Sequence, residues 1–314
     1  MDFIKKKMNP AQICSFFVLA LITSNAQPKG FLYDESRVIN YDLPDPLVCL
    51  DGTKVVNSKL WLNKRRPEIL NLFEQEVYGQ SPLNPGPIRY EVVDETKGTL
   101  GGKAIRKQVI IHLGKGAKSL EVNLLIYSPQ VAKQPVPGFL TINFQGNHTV
   151  HPESAIRMPT SWVRNQNGIK DNMAKEKDRG GSASRWAIDE IINRGYAFTT
   201  VYYGDIDPDF HDGYENGPHG LFPPQDRSKR KPSDWASIAG WAWGLSRCLD
   251  YLEKDSLIDG KRIAVMGHSR LGKTSLWAGA SDERFAMVIS NNSGCGGAAI
   301  SRRRFGETVK KSIH

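Results

Sequence analysis

The chain has 314 residues, with 42 Lys or Arg against 33 Asp or Glu and a formal charge of +9. That length suits one large α/β domain or two small ones, and the basic balance suits an anionic partner such as an acidic polysaccharide or a cell surface. Four cysteines, one of them (Cys14) in an N-terminal segment expected to be removed, are too few for a disulfide scaffold.

Lys5, Lys6 and Lys7 precede an apolar stretch at 13–22, which is followed by Ser24-Asn25-Ala26 with small residues at both specificity positions. This is the order of a secretory signal peptide, residues 1–26, cleaved after Ala26. The run is shorter than the roughly 20 apolar residues that span a bilayer, and Cys14 lies inside it rather than behind a lipobox. The expected location is secreted or periplasmic, with no stable membrane insertion. Losing Lys5, Lys6, Lys7 and Asp2 takes the formal charge from +9 to +7.

One domain is expected over 27–314. Residues 27–60, with Pro44, Pro46 and Gly52, read as a polar arm. A helix near Pro67 carries Ile69, Leu70, Leu72, Phe73 and Val77 on its apolar face and ends at Gly79. Strands are expected at 88–93, 107–112, 120–127 and 139–144. In the third of these, Val122, Leu124 and Ile126 alternate with Glu121, Asn123 and Leu125. Beyond Gln145-Gly146-Asn147-His148, helices at 182–194, 233–254 and 269–280 alternate with strands at 196–203, 262–266 and 285–290. Antiparallel strands leading into βαβα point to one mixed, mostly parallel sheet with helices on both faces. Loops 145–181 and 204–232 are long, and loops of that length commonly carry function.

The octet Gly267-His268-Ser269-Arg270-Leu271-Gly272-Lys273-Thr274 fits two motifs. As G-x-x-x-x-G-K-[ST] it is a phosphate-cradling P-loop; as Gly-x-Ser it is a nucleophile elbow with Ser269 on a strand-to-helix turn. A P-loop calls for a carboxylate at the end of a second strand to hold Mg²⁺, but the next strand ends in Asn291-Asn292-Ser293. Export also removes the protein from ATP. The elbow departs from its usual form at Leu271, where glycine is expected, with glycine one residue later. These contexts favour the nucleophile.

The octet, together with Asn292-Ser293-Gly294-Cys295-Gly296-Gly297, Arg304-Phe305-Gly306-Glu307-Thr308, Gln145-Gly146-Asn147-His148 and the 202–210 segment Tyr-Tyr-Gly-Asp-Ile-Asp-Pro-Asp-Phe, resembles the bacterial glucuronoyl esterases of carbohydrate esterase family fifteen. The resemblance implies an α/β-hydrolase three-layer sandwich. It implies cleavage of 4-O-methyl-glucuronoyl esters linking glucuronoxylan to lignin alcohols. Ser269 would be the nucleophile. Arg270 would stabilise the oxyanion through its amide and guanidinium, with a second amide from Gly146 or Asn147. Lys273 and Glu307 would hold sugar hydroxyls. No cofactor, metal or nucleic acid is implied; the partner is a glucuronic acid-bearing plant cell-wall polysaccharide.

The chain departs from the family pattern in two places. Asn292 occupies a position where the family often has glutamate. The family's catalytic histidine and a substrate-binding tryptophan lie downstream of Glu307, whereas the chain ends at His314. A C-terminally incomplete esterase is therefore expected, lacking its last strands, with little activity, poor solubility and an exposed sheet edge. His268 adjoins Ser269 and is expected to be structural, and His148, His151, His211 and His219 lie in loops. Asp205, Asp207 and Asp209 space like the start of a calcium loop, but Phe210 stands where its glycine belongs. The alternative functions are an acetyl xylan esterase and a non-catalytic carbohydrate-binding pseudoenzyme.

Overall fold

The computed structural model describes residues 31–116, 119–165, 171–222, 226–231 and 233–307; the signal segment lies outside them. Seven strands form one sheet: β1 (Ile88–Gly98), β2 (Ala104–Leu113), β3 (Leu120–Pro129), β4 (Val136–Asn143), β5 (Ala197–Tyr202), β6 (Ile258–His268) and β7 (Met287–Asn291). Their order is β1-β2-β3-β5-β4-β6-β7. β1, β2, β3 and β5 pair antiparallel in succession, while β4–β5, β4–β6 and β6–β7 pair parallel. Five of the seven, β2 and β4 to β7, thus run in one direction. The sheet is mixed and mostly parallel, as the βα alternation implied.

The pleat sorts side chains onto two cores. Val122, Leu124 and Ile126 of β3 face one core, shared with helices α3 (Ser237–Leu252) and α4 (Arg270–Ser281). Leu125 and Tyr127 face the other, shared with α2 (Ile188–Asn193). Trp241, Leu245 and Leu249 of α3 and Leu271, Trp277 and Ala278 of α4 all lie in the first core. Helices therefore cover both faces. The helical run before β1 includes α1 (Arg66–Phe73), extended by π turns at Trp61–Arg65 and Glu74–Tyr78, and ends at Gly79 as expected.

Several boundaries differ from the sequence reading. β2 starts three residues early, and Arg106 lies inside the sheet; it and Lys107 are buried against carboxylates. Arg106 pairs with Asp94 at 2.8 Å, and Lys107 with Asp255 at 2.7 Å. Charges that are fully paired survive burial, whereas polarity patterns read them as exposed. The helix expected at 182–194 is a 3₁₀ turn, Ala183–Arg185, followed by α2, because Trp186 is extended (φ −118°, ψ 107°) and packs on Phe198. The 27–60 arm is tied down where Leu32 bridges Gly306 and Cys49 is buried.

After β4 the chain goes to β5 on one side, then crosses to β6 on the other, so the strand order reverses at β4. Such a switch point opens a crevice beyond the carboxyl ends of the strands, where α/β proteins bind ligands. Leu271, fully buried at the start of α4, packs that helix against the first core. Leu271→Ala is expected to lower stability by about 2–5 kcal/mol, measured by denaturant unfolding.

Candidate active site

Ser269 sits between β6 and α4 with φ 56° and ψ −125°, a backbone conformation that non-glycine residues rarely adopt. Its amide donates to Asn291 O at 2.9 Å, and its carbonyl accepts from Gly272 N at 2.8 Å and Lys273 N at 3.1 Å. Two glycines let the turn close. A Cβ on Gly267 would fall 2.0 Å from Leu271 O, and one on Gly272 would fall 2.8 Å from Asn291 O. The glycine of the usual elbow has thus moved one place, because position 271 points into the core and position 272 meets β7. Among the described residues the Ser269 hydroxyl makes no hydrogen bond. The Arg270 amide, at the open N-terminus of α4, likewise has no acceptor among them.

The residues flanking Ser269 line a cleft of about 590 Å³ at the switch point, with Asn143, Phe144 and Gln145 from the end of β4 and Asn291 from β7. Three guanidinium groups reach it: Arg164, Arg185 and Arg270. Arg185 is exposed and unpaired among the described residues. Arg270 is held by Asp209 through two hydrogen bonds, Nη1–Oδ1 and Nη2–Oδ2, each 2.6 Å. Of the two amides expected to complete an oxyanion site, Gly146 N already donates to Asn143 Oδ1 at 2.8 Å. The Asn147 amide has no acceptor among the described residues, while its side chain bridges Asn143 and Asn123 O.

Lys273, one turn into α4, is 2% exposed. Its ammonium forms no hydrogen bond or ion pair with the described residues. Desolvation lowers its pKa from the usual lysine value, partly offset by the charge of Glu307. Glu307 packs on the turn after β7, where its Oε2 accepts from Cys295 N at 3.3 Å and approaches Gly294. Helix α4 and the post-β7 turn thus bring Lys273 and Glu307 toward each other.

A family model described as fungal glucuronyl esterase matches residues 230–312. The chain is 51% identical over 290 residues to a carbohydrate esterase from an unknown prokaryotic organism, covering 91% of this chain and 66% of that protein. A solved promiscuous CE15 esterase from a marine bacterial metagenome matches with a TM-score of 0.82 at 51% identity, over 90% of this chain and 70% of that one. A glucuronoyl esterase from Solibacter usitatus matches with a TM-score of 0.80 at 45% identity, over 85% of this chain and 68% of that one. The chain belongs to the CE15 glucuronoyl esterase family. It spans about half, 51%, of the 4-O-methyl-glucuronoyl methylesterase of Neurospora crassa, to which it is 26% identical.

In this CE15 chain none of the described histidines bonds to Ser269. His268 Nδ1 lies 3.2 Å from Asn291 Nδ2, and His268 itself lines the cleft. His151 Nδ1 accepts from Glu153 N, and His219 lies 3.4 Å from Asp207. His148 is 1% exposed with both ring nitrogens unbonded among the described residues. Asn292, in the left-handed region at φ 47°, offers no carboxylate.

The calcium-like triplet is dispersed. Asp205 is bonded to Asn123 and Ser161, Asp207 faces His219, and Asp209 holds Arg270. Cys49, Asp51 and Glu68 cluster within 4.8 Å, but Lys64 already pairs with Asp51 and Arg65 with Glu68. The three described cysteines are buried free thiols. No helix among the described residues is long and apolar enough to cross a membrane. Sequence reasoning missed Asn143 and Arg164, for which no local signal exists, and read Asp209 as part of the acidic triplet.

Burial lowers the His148 pKa from 6.5 to about 4. Between those values the unfolded chain takes up the proton and the folded chain does not, so stability falls as pH drops through that window. The expected loss is at most about 3 kcal/mol, measured by thermal melting at pH 7 and pH 4. His148→Gln is expected to flatten the dependence.

Proposed function

We propose that the protein is a serine carboxylic ester hydrolase that cleaves 4-O-methyl-glucuronoyl esters linking glucuronoxylan to lignin alcohols, acting outside the cell. The observation that carries the reading is the strained Ser269 elbow at the switch-point crevice, with the free Arg270 amide beside it. Ser269 Oγ attacks the C6 ester carbonyl, its proton passing to a histidine base supplied from outside the described residues. The tetrahedral oxyanion is stabilised by the Arg270 amide and guanidinium; such donors contribute a few kcal/mol of barrier lowering. Collapse expels the alcohol, which takes the proton from the histidine. Water deprotonated by the same base then releases the uronate from the acyl-serine, while Ser269 recovers its proton.

Lys273 supports the uronate assignment. The Lys273 side chain is largely withdrawn from solvent and its ammonium has no partner among the described residues; a sugar hydroxyl or ring substituent supplies an acceptor. Glu307 accepts from a second hydroxyl. The names of the relatives point the same way, since the Neurospora crassa protein is a 4-O-methyl-glucuronoyl methylesterase.

The test is hydrolysis of methyl and benzyl D-glucuronate by the full-length protein. Ser269→Ala is expected to lose at least about 10³-fold in kcat, and Lys273→Ala to raise KM about tenfold. Turnover that survives Ser269→Ala overturns the nucleophile. A relative is described as a promiscuous esterase, so a second ester class is tested alongside; faster cleavage of acetylated xylan than of either uronate ester would establish an acetyl xylan esterase. Sugar binding without any turnover would leave a carbohydrate-binding protein.

A further inference from the structure

A second cleft of about 590 Å³ adjoins the one beside Ser269, and Arg164 and Arg270 line both. Asp209, which lines the second cleft, stands between the two arginines. It takes two hydrogen bonds from Arg270 and one from Arg164 on the same Oδ2, with Tyr203 OH 3.4 Å away. Arg164 comes from loop 145–181, Asp209 from loop 204–232, and Arg270 from the first turn of α4. The two long loops thus converge on the residue that follows the nucleophile.

We propose that Asp209 is a positioning residue that aims the Arg270 guanidinium at the reacting carbonyl, with Arg164 completing the clamp. A free arginine side chain samples many rotamers, and a bidentate carboxylate restricts them before substrate arrives. A lone Asp209–Arg270 pair would also cancel the charge that an oxyanion needs. Arg164 restores it: two guanidinium groups against one carboxylate leave the cluster at +1. Aim and charge are thereby supplied by different residues. The inference rests on the esterase reading, because an aimed cation matters only where an oxyanion forms.

This arrangement makes an unusual demand on Asp209→Asn, which raises the local charge but loosens Arg270. If Asp209 merely neutralised its neighbours, the variant would be as fast as wild type or faster, and would bind the product D-glucuronate more tightly. If it positions, kcat falls. The experiment measures kcat and KM on methyl and benzyl D-glucuronate, D-glucuronate inhibition, and melting temperature for full-length wild type, Asp209→Asn, Asp209→Glu and Arg164→Ala.

The expected result is a loss in kcat of about 10–100-fold in Asp209→Asn, with KM nearly unchanged and the same loss for both esters. Partial rescue is expected in Asp209→Glu, and a smaller kcat loss in Arg164→Ala. A kcat at or above the wild-type value, a loss carried by KM, or a loss matched by melting in both Asp209 variants overturns the proposal. A wild type that cleaves p-nitrophenyl acetate but neither uronate ester sinks the substrate reading alone; the same kcat comparison is then read on the acetate.

Discussion

Everything at the site hangs on the backbone of Ser269. Holding a serine at φ 56°, ψ −125° costs on the order of 1–3 kcal/mol, and it persists only because the surroundings over-determine it. β7 pins the amide through Asn291 O, and α4 pins the carbonyl through Gly272 and Lys273. Gly267 and Gly272 remove the Cβ atoms that would block the approach, and Leu271 anchors the helix in the core. The strain lifts the hydroxyl off both elements and leaves the first amides of α4 open at the crevice.

Around that turn, charge is distributed in two styles. Away from the crevice, buried charges are matched: Lys107 meets Asp255, which also accepts from Tyr251, and Arg106 meets Asp94 and Glu153. Next to Ser269 they are not. Among the described residues neither the largely buried Lys273 side chain nor Arg185 at the rim has an ionic partner, and the Arg164–Asp209–Arg270 cluster carries an excess positive charge. Matched pairs hold a fold; an unmatched cation in a crevice is a feature a ligand must complete.

Much of the architecture was legible because it rests on local periodicity. The alternation in β3, the apolar face of α3 and the strand–turn–helix context of the octet all survive into the structure. The esterase family was also legible, from the octet and the motifs around it. What failed to read was set by burial. Arg106 concealed the start of β2, since a paired charge inside a sheet resembles an exposed one in sequence. The helix expected at 182–194 broke because Trp186 had a tertiary partner, Phe198, that periodicity does not register.

The sequence by itself determined the elbow, because Gly267, Ser269 and Gly272 are required by sterics within a single turn, and it placed Lys273 one helical turn beyond Ser269. Tertiary structure alone decided which polar groups remain available. It spent the Gly146 amide on Asn143 and left that of Asn147 unbonded among the described residues. It turned Asp209 from a candidate calcium ligand into the partner of Arg270, 61 residues away. It also brought Glu307 toward Lys273. Hydrogen bonds between distant segments depend on how the sheet and its two long loops close, and no local pattern encodes that closure.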